Sequence, residues 1–155
     1  MSQISRKLTR RLLFQKLFVL GYNKITDEKF FDFFYQDDIT SIDEKYFEEM
    51  QNLIIEKEDI LISLVEKYAP KFNIEKMSLL FIIPLYIALT EMFFLQEEIP
   101  AKVSINEAIE LSKKYWDWTT KNLVNWILNN ILTDYDNLKT YIKEWPFESK
   151  FSFFK

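Results

Sequence analysis

Glycine is almost absent from this chain, and its scarcity limits the folds that are open to it. The 155 residues include one glycine, Gly21, and four prolines. Hairpins and barrels use glycine at tight turns, so a chain with one glycine is a poor candidate for a β fold. The long stretches between the prolines favour helices, and 48% hydrophobic residues supply an ample core. We therefore predict an all-α fold and a single domain over 1–155, a usual length for one domain.

Apolar spacing divides the chain into about six or seven predicted helices. We place them at about 5–22, 26–36, 41–70, 73–98, 104–115 and 119–145. The charged run at 56–59 is where the third stretch can break into two helices. Pro84 should kink or restart the fourth, because proline removes a backbone donor from the helix.

Two of these helices are predicted to begin at a capping box. Ser41 with Glu44, and Ser104 with Glu107, have the required spacing of three residues. In a capping box the serine side chain accepts a hydrogen bond from the third residue's N–H, and that residue's carboxylate reaches back to the serine N–H. Each serine is therefore predicted to be an N-cap.

Two apolar stretches could be confused with membrane segments. The basic start followed by LLFQKLFVLGY has some features of a signal peptide, but Lys16 splits its apolar run and no clean cleavage site follows. Residues 77–95 are long enough to approach a span, yet they contain Pro84, Thr90 and Glu91, which favour a buried core helix. The absence of cysteine fits a reducing compartment. We expect a cytoplasmic protein without a membrane partner.

Positive charge is concentrated at the N-terminus. The net charge is −4, yet residues 1–24 carry six basic side chains and no acidic ones. All three arginines lie between positions 6 and 11. On a helix, Arg6 and Arg10 form one stripe, and Lys7 and Arg11 form a second row beside it.

The first stripe continues along the predicted helix through Phe14 and Phe18. Guanidinium groups bind phosphates in a bidentate manner and aromatic faces stack on bases, so a cationic stripe leading into aromatic rings suits single-stranded RNA. The alternative is a solvated basic N-terminus leading into a core helix whose phenylalanines are simply buried. Both interpretations remain open on these residues alone.

The side chains of most catalytic and cofactor sites are missing. Without histidine or cysteine, the usual zinc sites and the Ser–His and Cys–His nucleophile pairs cannot form. One glycine excludes the phosphate-binding P-loop and the dinucleotide fingerprint. Acidic pairs such as Glu97 and Glu98 fit solvated surfaces. We expect a binding module that is not an enzyme and needs no cofactor.

Three blocks of sequence resemble the NusB family. Residues 97–128, EEIPAKVSINEAIELSKKYWDWTTKNLVNWIL, resemble the family signature, most specifically in INEAIEL. LYIALTEM at 85–92 and RKLTRRLLFQKLF at 6–18 resemble two further family blocks. Together the blocks cover most of the chain to about residue 134. The aromatic tail at 141–155 extends past them, and either packs onto the domain or binds a partner.

The resemblance implies an all-helical fold of two helical subdomains packed across a long central helix. It implies a transcription antitermination factor that binds boxA-like single-stranded RNA of ribosomal RNA leader transcripts. Its partners would be NusE, a small-subunit ribosomal protein, and the antitermination complex on RNA polymerase. The residues that we assign to RNA contacts on this basis are Arg6, Lys7, Arg10, Arg11, Phe18, Tyr115 and Asn122.

The helix start at Ser104 would then place Lys113–Tyr115 beside the arginine cluster. Replacing Arg6 and Arg10 by alanine should weaken RNA binding and leave thermal stability nearly unchanged. Asn125 matches a family asparagine that we interpret as a capping or helix-packing residue rather than a ligand.

Several positions depart from the family pattern and support a second hypothesis. Tyr86 stands where the family has arginine, Leu123 replaces a phenylalanine, and Asn122 stands where lysine is common. Trp116 and Trp126 replace two glycines, the first in the loop beside Tyr115 and the second where helices usually approach closely. The alternative function is therefore a diverged helical protein adaptor that has lost specific RNA recognition.

Overall fold

The structure is a computed structural model that describes residues 4–23, 41–115, 118–144, 149 and 151–155. Within these ranges it contains seven α-helices and one 3₁₀ turn, which confirms the predicted all-α fold. The helices are α1 Arg6–Asn23, α2 Glu44–Glu56, α3 Glu58–Tyr68, α4 Leu79–Phe94, α5 Ala101–Tyr115, α6 Trp118–Thr133 and α7 Tyr135–Ile142, with the 3₁₀ turn at Ile74–Lys76. The helix predicted at 26–36 lies outside the described residues.

Helix α4 occupies the centre of the core. Every side chain from Phe81 to Phe93 is buried, and α4 contacts α1, α2, α3, α5 and α6. A helix that is apolar all round is expected to be surrounded in this way. Pro84 lies inside the continuous helix and does not restart it. None of the described helices is long and apolar enough to cross a membrane.

The start of α2 differs from the prediction. Its N-cap is Asp43, whose carboxylate accepts a hydrogen bond from the Tyr46 N–H at 3.1 Å. The helix therefore begins at Glu44, and Ser41 does not form the predicted capping box. The break predicted at 56–59 is confirmed, because Lys57 separates α2 from α3.

The start of α5 also differs. The helix begins at Ala101, directly after Pro100, whose carbonyl accepts hydrogen bonds from the N–H groups of Val103 and Ser104. Ser104 lies inside the helix and is buried, so the capping box predicted for Ser104 and Glu107 is wrong. The Pro100 carbonyl, which accepts these first hydrogen bonds, marks the start of the helix instead.

Two long predicted helices are each divided by a local cap or turn. Asn73 caps only the 3₁₀ turn, and Ser78 then caps α4 by accepting a hydrogen bond from the Leu80 N–H at 3.1 Å. The stretch 119–145 separates at Asp134 into α6 and α7.

Residues 151–155 pack against the helices. Phe154 is buried and meets the Tyr86 ring edge to face, with centroids 6.1 Å apart. Gly21 permits this approach: a Cβ there would lie 3.0 Å from Leu79 Cδ1 and 3.2 Å from Phe154 Cε1. The one glycine of the chain therefore lies where α1, the start of α4 and the tail converge.

Candidate nucleic-acid interface

The basic side chains at the start of helix α1 lie in two rows along the helix. Successive residues are rotated by about 100° around a helix, so the row of Lys7 and Arg11 lies beside the row of Arg6 and Arg10, displaced by about 100° around the axis. The first row turns toward α2 and α4, because Arg6 pairs with Asp43 and Arg10 is buried. The second row turns toward α5. The two rows that the sequence predicts are present, but they have different surroundings.

Arg10 belongs to a buried polar network centred on Glu91. Its Nε lies 2.7 Å from Glu91 Oε2 and its Nη2 lies 3.0 Å from Oε1, a bidentate pair. The hydroxyls of Tyr46 and Ser104 also donate to this carboxylate, the second at 2.7 Å. Four donors therefore satisfy Glu91, which is fully buried. The network joins α1, α2, α4 and α5 at one point.

The contacts of this network favour the protonated forms of Arg10 and Tyr46. Burial lowers the pKa of Arg10, but the hydrogen bond and negative charge of Glu91 outweigh it and raise the pKa above the ordinary value. Burial, followed by the charge of Glu91, raises the pKa of Tyr46 well above its usual range, so its hydroxyl keeps the proton that it donates. Arg10 therefore keeps its positive charge beside Glu91.

Arg10 is therefore a structural residue, contrary to its assignment as an RNA contact. It is 4% exposed, and its guanidinium donates two hydrogen bonds to the Glu91 carboxylate. The structure also replaces the expectation that alanine at Arg6 and Arg10 leaves stability nearly unchanged with a predicted loss of stability, because the Arg10 change would leave Glu91 buried without its cation. The stripe itself is evident in the sequence, but the basic residue types alone do not show that it faces the core.

Arg6 lies at the edge of the same region. Its Nη2 donates to Asp43 Oδ2 at 3.0 Å and its guanidinium lies 4.6 Å from the centre of the Tyr46 ring. Burial raises the pKa of Asp43, but the Tyr46 N–H and the Arg6 guanidinium lower it overall. The Arg6 side chain remains 36% exposed, so part of it faces solvent.

The second row of α1 and the C-terminal end of α5 enclose an open pocket of about 260 Å³, called here the basic pocket. Its lining consists of Lys7, Arg11, Glu107, Glu110, Leu111, Lys113 and Lys114. Four cations thus meet two carboxylates, and Lys113 Nζ lies 3.3 Å from Glu110 Oε1. The end of α5 does lie beside N-terminal cations, but beside Lys7 and Arg11 rather than beside the Arg6 stripe.

A further lysine lies close to this cluster. Desolvation, followed by the positive charge of Lys113, lowers the pKa of Lys121 on α6. Asn122, the next residue, is exposed on the same helix. The predicted contact at Asn122 therefore lies on α6 near the cationic end of α5, outside the lining of the basic pocket.

Aromatic rings adjoin the basic pocket along α1. Tyr115 stacks on Phe14 with centroids 4.3 Å apart and planes 12° apart, and its hydroxyl accepts a hydrogen bond from Gln15 Nε2 at 3.1 Å. One face of the Tyr115 ring is therefore covered by Phe14, which is itself buried. Phe18 is half-buried and stacks with Tyr22, centroids 6.0 Å apart.

The residues that depart from the family pattern lie both in the core and on the surface. Tyr86 is fully buried and donates to Glu58, so it belongs to the core. Trp126 is 55% exposed, which corrects the expectation that its ring lies between closely approaching helices. Asn125 is exposed in the middle of α6, where its carbonyl accepts a hydrogen bond from Asn129, so it neither caps nor packs a helix. Trp116 lies outside the described residues.

Residue types in the sequence do not reveal the roles of Glu91 and of the pocket carboxylates Glu107 and Glu110. A signal for the orientation of α1 was present, since Leu13 and Leu17 recur with the helical period on the buried side. That phase places Lys7 and Arg11 on the opposite side. No comparable signal in the sequence joins Glu91 to Arg10, because the two residues are far apart along the chain.

Comparison with known proteins points to one family. The NusB family matches residues 7–133. A "Transcription antitermination protein NusB" of Clostridium acetobutylicum is 30% identical over 130 residues, covering 83% of this chain and 96% of the relative. The proteins of the same name from Thermodesulfovibrio yellowstonii and Bacillus subtilis are 31% and 28% identical, covering 83% and 84% of this chain and 91% and 97% of those relatives.

Proposed function

This chain belongs to the NusB family, and on that premise we propose that it is a transcription antitermination factor whose basic pocket binds RNA. The RNA is a boxA-like single strand from ribosomal RNA leader transcripts. NusE binds with it, as part of an antitermination complex on RNA polymerase in the cytoplasm.

The observation that carries this proposal is the convergence of Lys7 and Arg11 with Lys113 and Lys114. The chain as a whole is acidic, with a net charge of −4, and would repel a polyanion without a local concentration of cations. Cations from α1 and α5 provide that concentration beside the stacked pair of Phe14 and Tyr115. Charges for phosphates next to rings for bases are what single-stranded RNA requires.

Each side chain of the basic pocket has a chemical role in this proposal. Arg11 can bind a phosphate through two parallel hydrogen bonds, while Lys7 and Lys114 act as point charges. Glu107 and Glu110 repel phosphates and accept hydrogen bonds from base amino groups such as cytosine N4. The carboxylates therefore favour a strand whose backbone follows the cations and whose bases face α5.

The network around Glu91 positions the two halves of this surface. Arg10 on α1 and Ser104 on α5 both hydrogen-bond Glu91, so the network fixes the spacing of the helices that carry the cations. Arg10 thus acts on RNA binding through position rather than contact. Ser104, the buried serine directly before INEA, has the same role.

Fluorescence anisotropy with a labelled boxA-type RNA and a scrambled RNA, each with and without NusE, tests the proposal. We expect selective binding of the boxA sequence that NusE strengthens. Equal, weak affinity for both RNAs, with NusE still bound, would overturn the RNA role and support the adaptor hypothesis. Binding of neither RNA nor NusE would contradict both functions.

A further inference from the structure

The outward side of α1 carries more than the cations of the basic pocket. Residues 7, 11, 15, 18 and 22 follow spacings of four, four, three and four, which keeps them on one side of a helix. Each of them is exposed or half-buried, whereas Leu13 and Leu17 on the opposite side are fully buried. This outward row therefore reads, in order, lysine, arginine, glutamine, phenylalanine and tyrosine, with no acidic residue.

The row ends in a pair of stacked rings. Tyr22 is 74% exposed, and its ring plane lies within 11° of the Phe18 plane at a centroid separation of 6.0 Å. Phe18 is half-buried and packs against the core, so it provides a fixed support for the outer ring. A surface tyrosine held in this way presents an aromatic face to solvent with part of its rotamer entropy already lost.

The row also has a suitable length. Fifteen residues separate Lys7 from Tyr22, which is about 22 Å along a helix axis at 1.5 Å per residue. A single strand that begins with phosphates in the basic pocket can therefore extend over several nucleotides before its bases reach Tyr22. The cations come first along α1 and the rings last, as expected if the charges hold the backbone and the rings stack on bases.

We propose that Phe18 and Tyr22 form a platform on which an unpaired base of the bound RNA stacks, at the end of α1 remote from the basic pocket. The inference rests on the proposed function and extends it, because it assigns the strand a path along α1 and adds Tyr22 to its contacts. A tyrosine accepts any base on its face, so the platform contributes affinity rather than sequence selectivity.

The first test is the affinity of the full chain carrying Tyr22→Ala for the boxA-type RNA. Loss of one stacking contact should weaken binding about five- to tenfold. The slope of log affinity against log salt should not change, because tyrosine neutralises no phosphate. Tyr22→Phe should bind like wild type, since it keeps the ring. Phe72→Ala is the matched control, because Phe72 is another exposed aromatic residue, 47% exposed, and lies outside α1.

A second test identifies the stacked nucleotide. The RNA is synthesised with an abasic site at each position in turn and measured with wild type and with Tyr22→Ala. At one position the two losses should overlap rather than add, as expected for groups in direct contact. Additive losses at every position would overturn the platform even if Tyr22→Ala weakened binding.

The failure of this inference differs from failure of the proposed function. If wild type binds boxA-type RNA, Lys7→Ala with Arg11→Ala weakens it, and Tyr22→Ala has wild-type affinity, the platform is wrong and the basic pocket stands. If Tyr22→Ala weakens NusE binding and leaves RNA affinity unchanged, Tyr22 contacts protein and the platform is again wrong. If wild type binds no RNA, both proposals are overturned.

Discussion

At the scale of single residues, the pair of Arg10 and Glu91 is the feature with the largest expected effect on stability. Both side chains are buried, and two hydrogen bonds of 2.7 and 3.0 Å join them. Arg10→Ala should lower the free energy of unfolding by about 3 to 5 kcal/mol, because it leaves a carboxylate buried without its counter-charge. Urea denaturation followed by circular dichroism measures this change.

Arg6→Ala is the matched control for that measurement. The pair of Arg6 and Asp43 is partly exposed, so its loss should cost about 1 kcal/mol or less. Equal stability of Arg10→Ala and wild type would show that the Glu91 network does not hold the helices together. If Arg6→Ala lowered the free energy of unfolding strongly and Arg10→Ala did not, Arg6 rather than Arg10 would be the structural arginine.

Lys16 is a second residue with a measurable effect, in this case on pH dependence. Its side chain is fully buried, its Nζ donates to Gln51 Oε1 at 3.3 Å, and burial lowers its pKa from 10.5 to about 8. Between those two values the unfolded chain binds a proton that the folded chain has released, so the contribution of Lys16 to stability rises with pH. Below pH 8 the charged lysine destabilises the fold, by an amount on the order of 3 kcal/mol.

Lys16→Met should therefore raise the melting temperature at pH 7, and its advantage over wild type should shrink as the pH rises from 8 toward 10.5. Thermal denaturation of both proteins across this range measures the difference. Lys71→Met, at an exposed lysine, should show no such trend. A constant difference between Lys16→Met and wild type at every pH would contradict the lowered pKa.

At the scale of elements, the C-terminal segment 151–155 acts as part of the core although it lies outside the family match at 7–133. Glu58, in the first turn of α3, is fully buried and accepts hydrogen bonds from the Ser152 hydroxyl and from the Phe153 N–H at 2.9 Å. Phe154 packs next to it against Tyr86. The tyrosine that replaces a family arginine thus belongs to the surface that the tail covers.

Phe154→Ala should lower the free energy of unfolding by about 3 kcal/mol, because it removes a buried ring and uncovers Tyr86 and Gly21. Denaturation measurements test this, with Phe72→Ala as a control at an exposed phenylalanine. A stability equal to wild type would mean that the tail lies on the domain without stabilising it.

Element positions could be predicted from the sequence better than their starts. The apolar period located every described helix, since burial of Leu13, Leu17 and similar residues is a local pattern with one helical solution. The start of α5 was misplaced because a serine three residues before a glutamate satisfies the capping-box pattern even inside a helix. Ser104 donates instead to Glu91 on another helix, and a contact between two helices produces no pattern in the local sequence.

The same limit applies to the candidate site. Composition and the family blocks located its cations on α1 and near the end of α5. They did not separate Arg10, which is buried, from Arg11, one residue on, which lines the basic pocket. That difference of one residue depends on which side of α1 meets α2 and α4, and therefore on the packing of the whole domain.

At the scale of the whole molecule, an acidic protein concentrates cations at one junction of two helices. The remaining residues after position 24 hold 14 basic and 24 acidic side chains, so the basic pocket is set in a surface that repels RNA. Such a surface favours one binding position over diffuse adsorption. Affinity should consequently depend on salt in proportion to the phosphates that this pocket neutralises.

The salt dependence of boxA-type RNA binding tests the central claim most directly. We would measure affinity over a salt series for wild type, for Lys7→Ala with Arg11→Ala, and for Lys71→Ala with Lys76→Ala, which removes two exposed lysines elsewhere. Three or four phosphate contacts predict a wild-type log–log slope of about −2 to −3, and loss of two contacts should reduce its magnitude by about 1.4. The control should keep the wild-type slope. Identical slopes for all three proteins would contradict the assignment of the basic pocket as the RNA site.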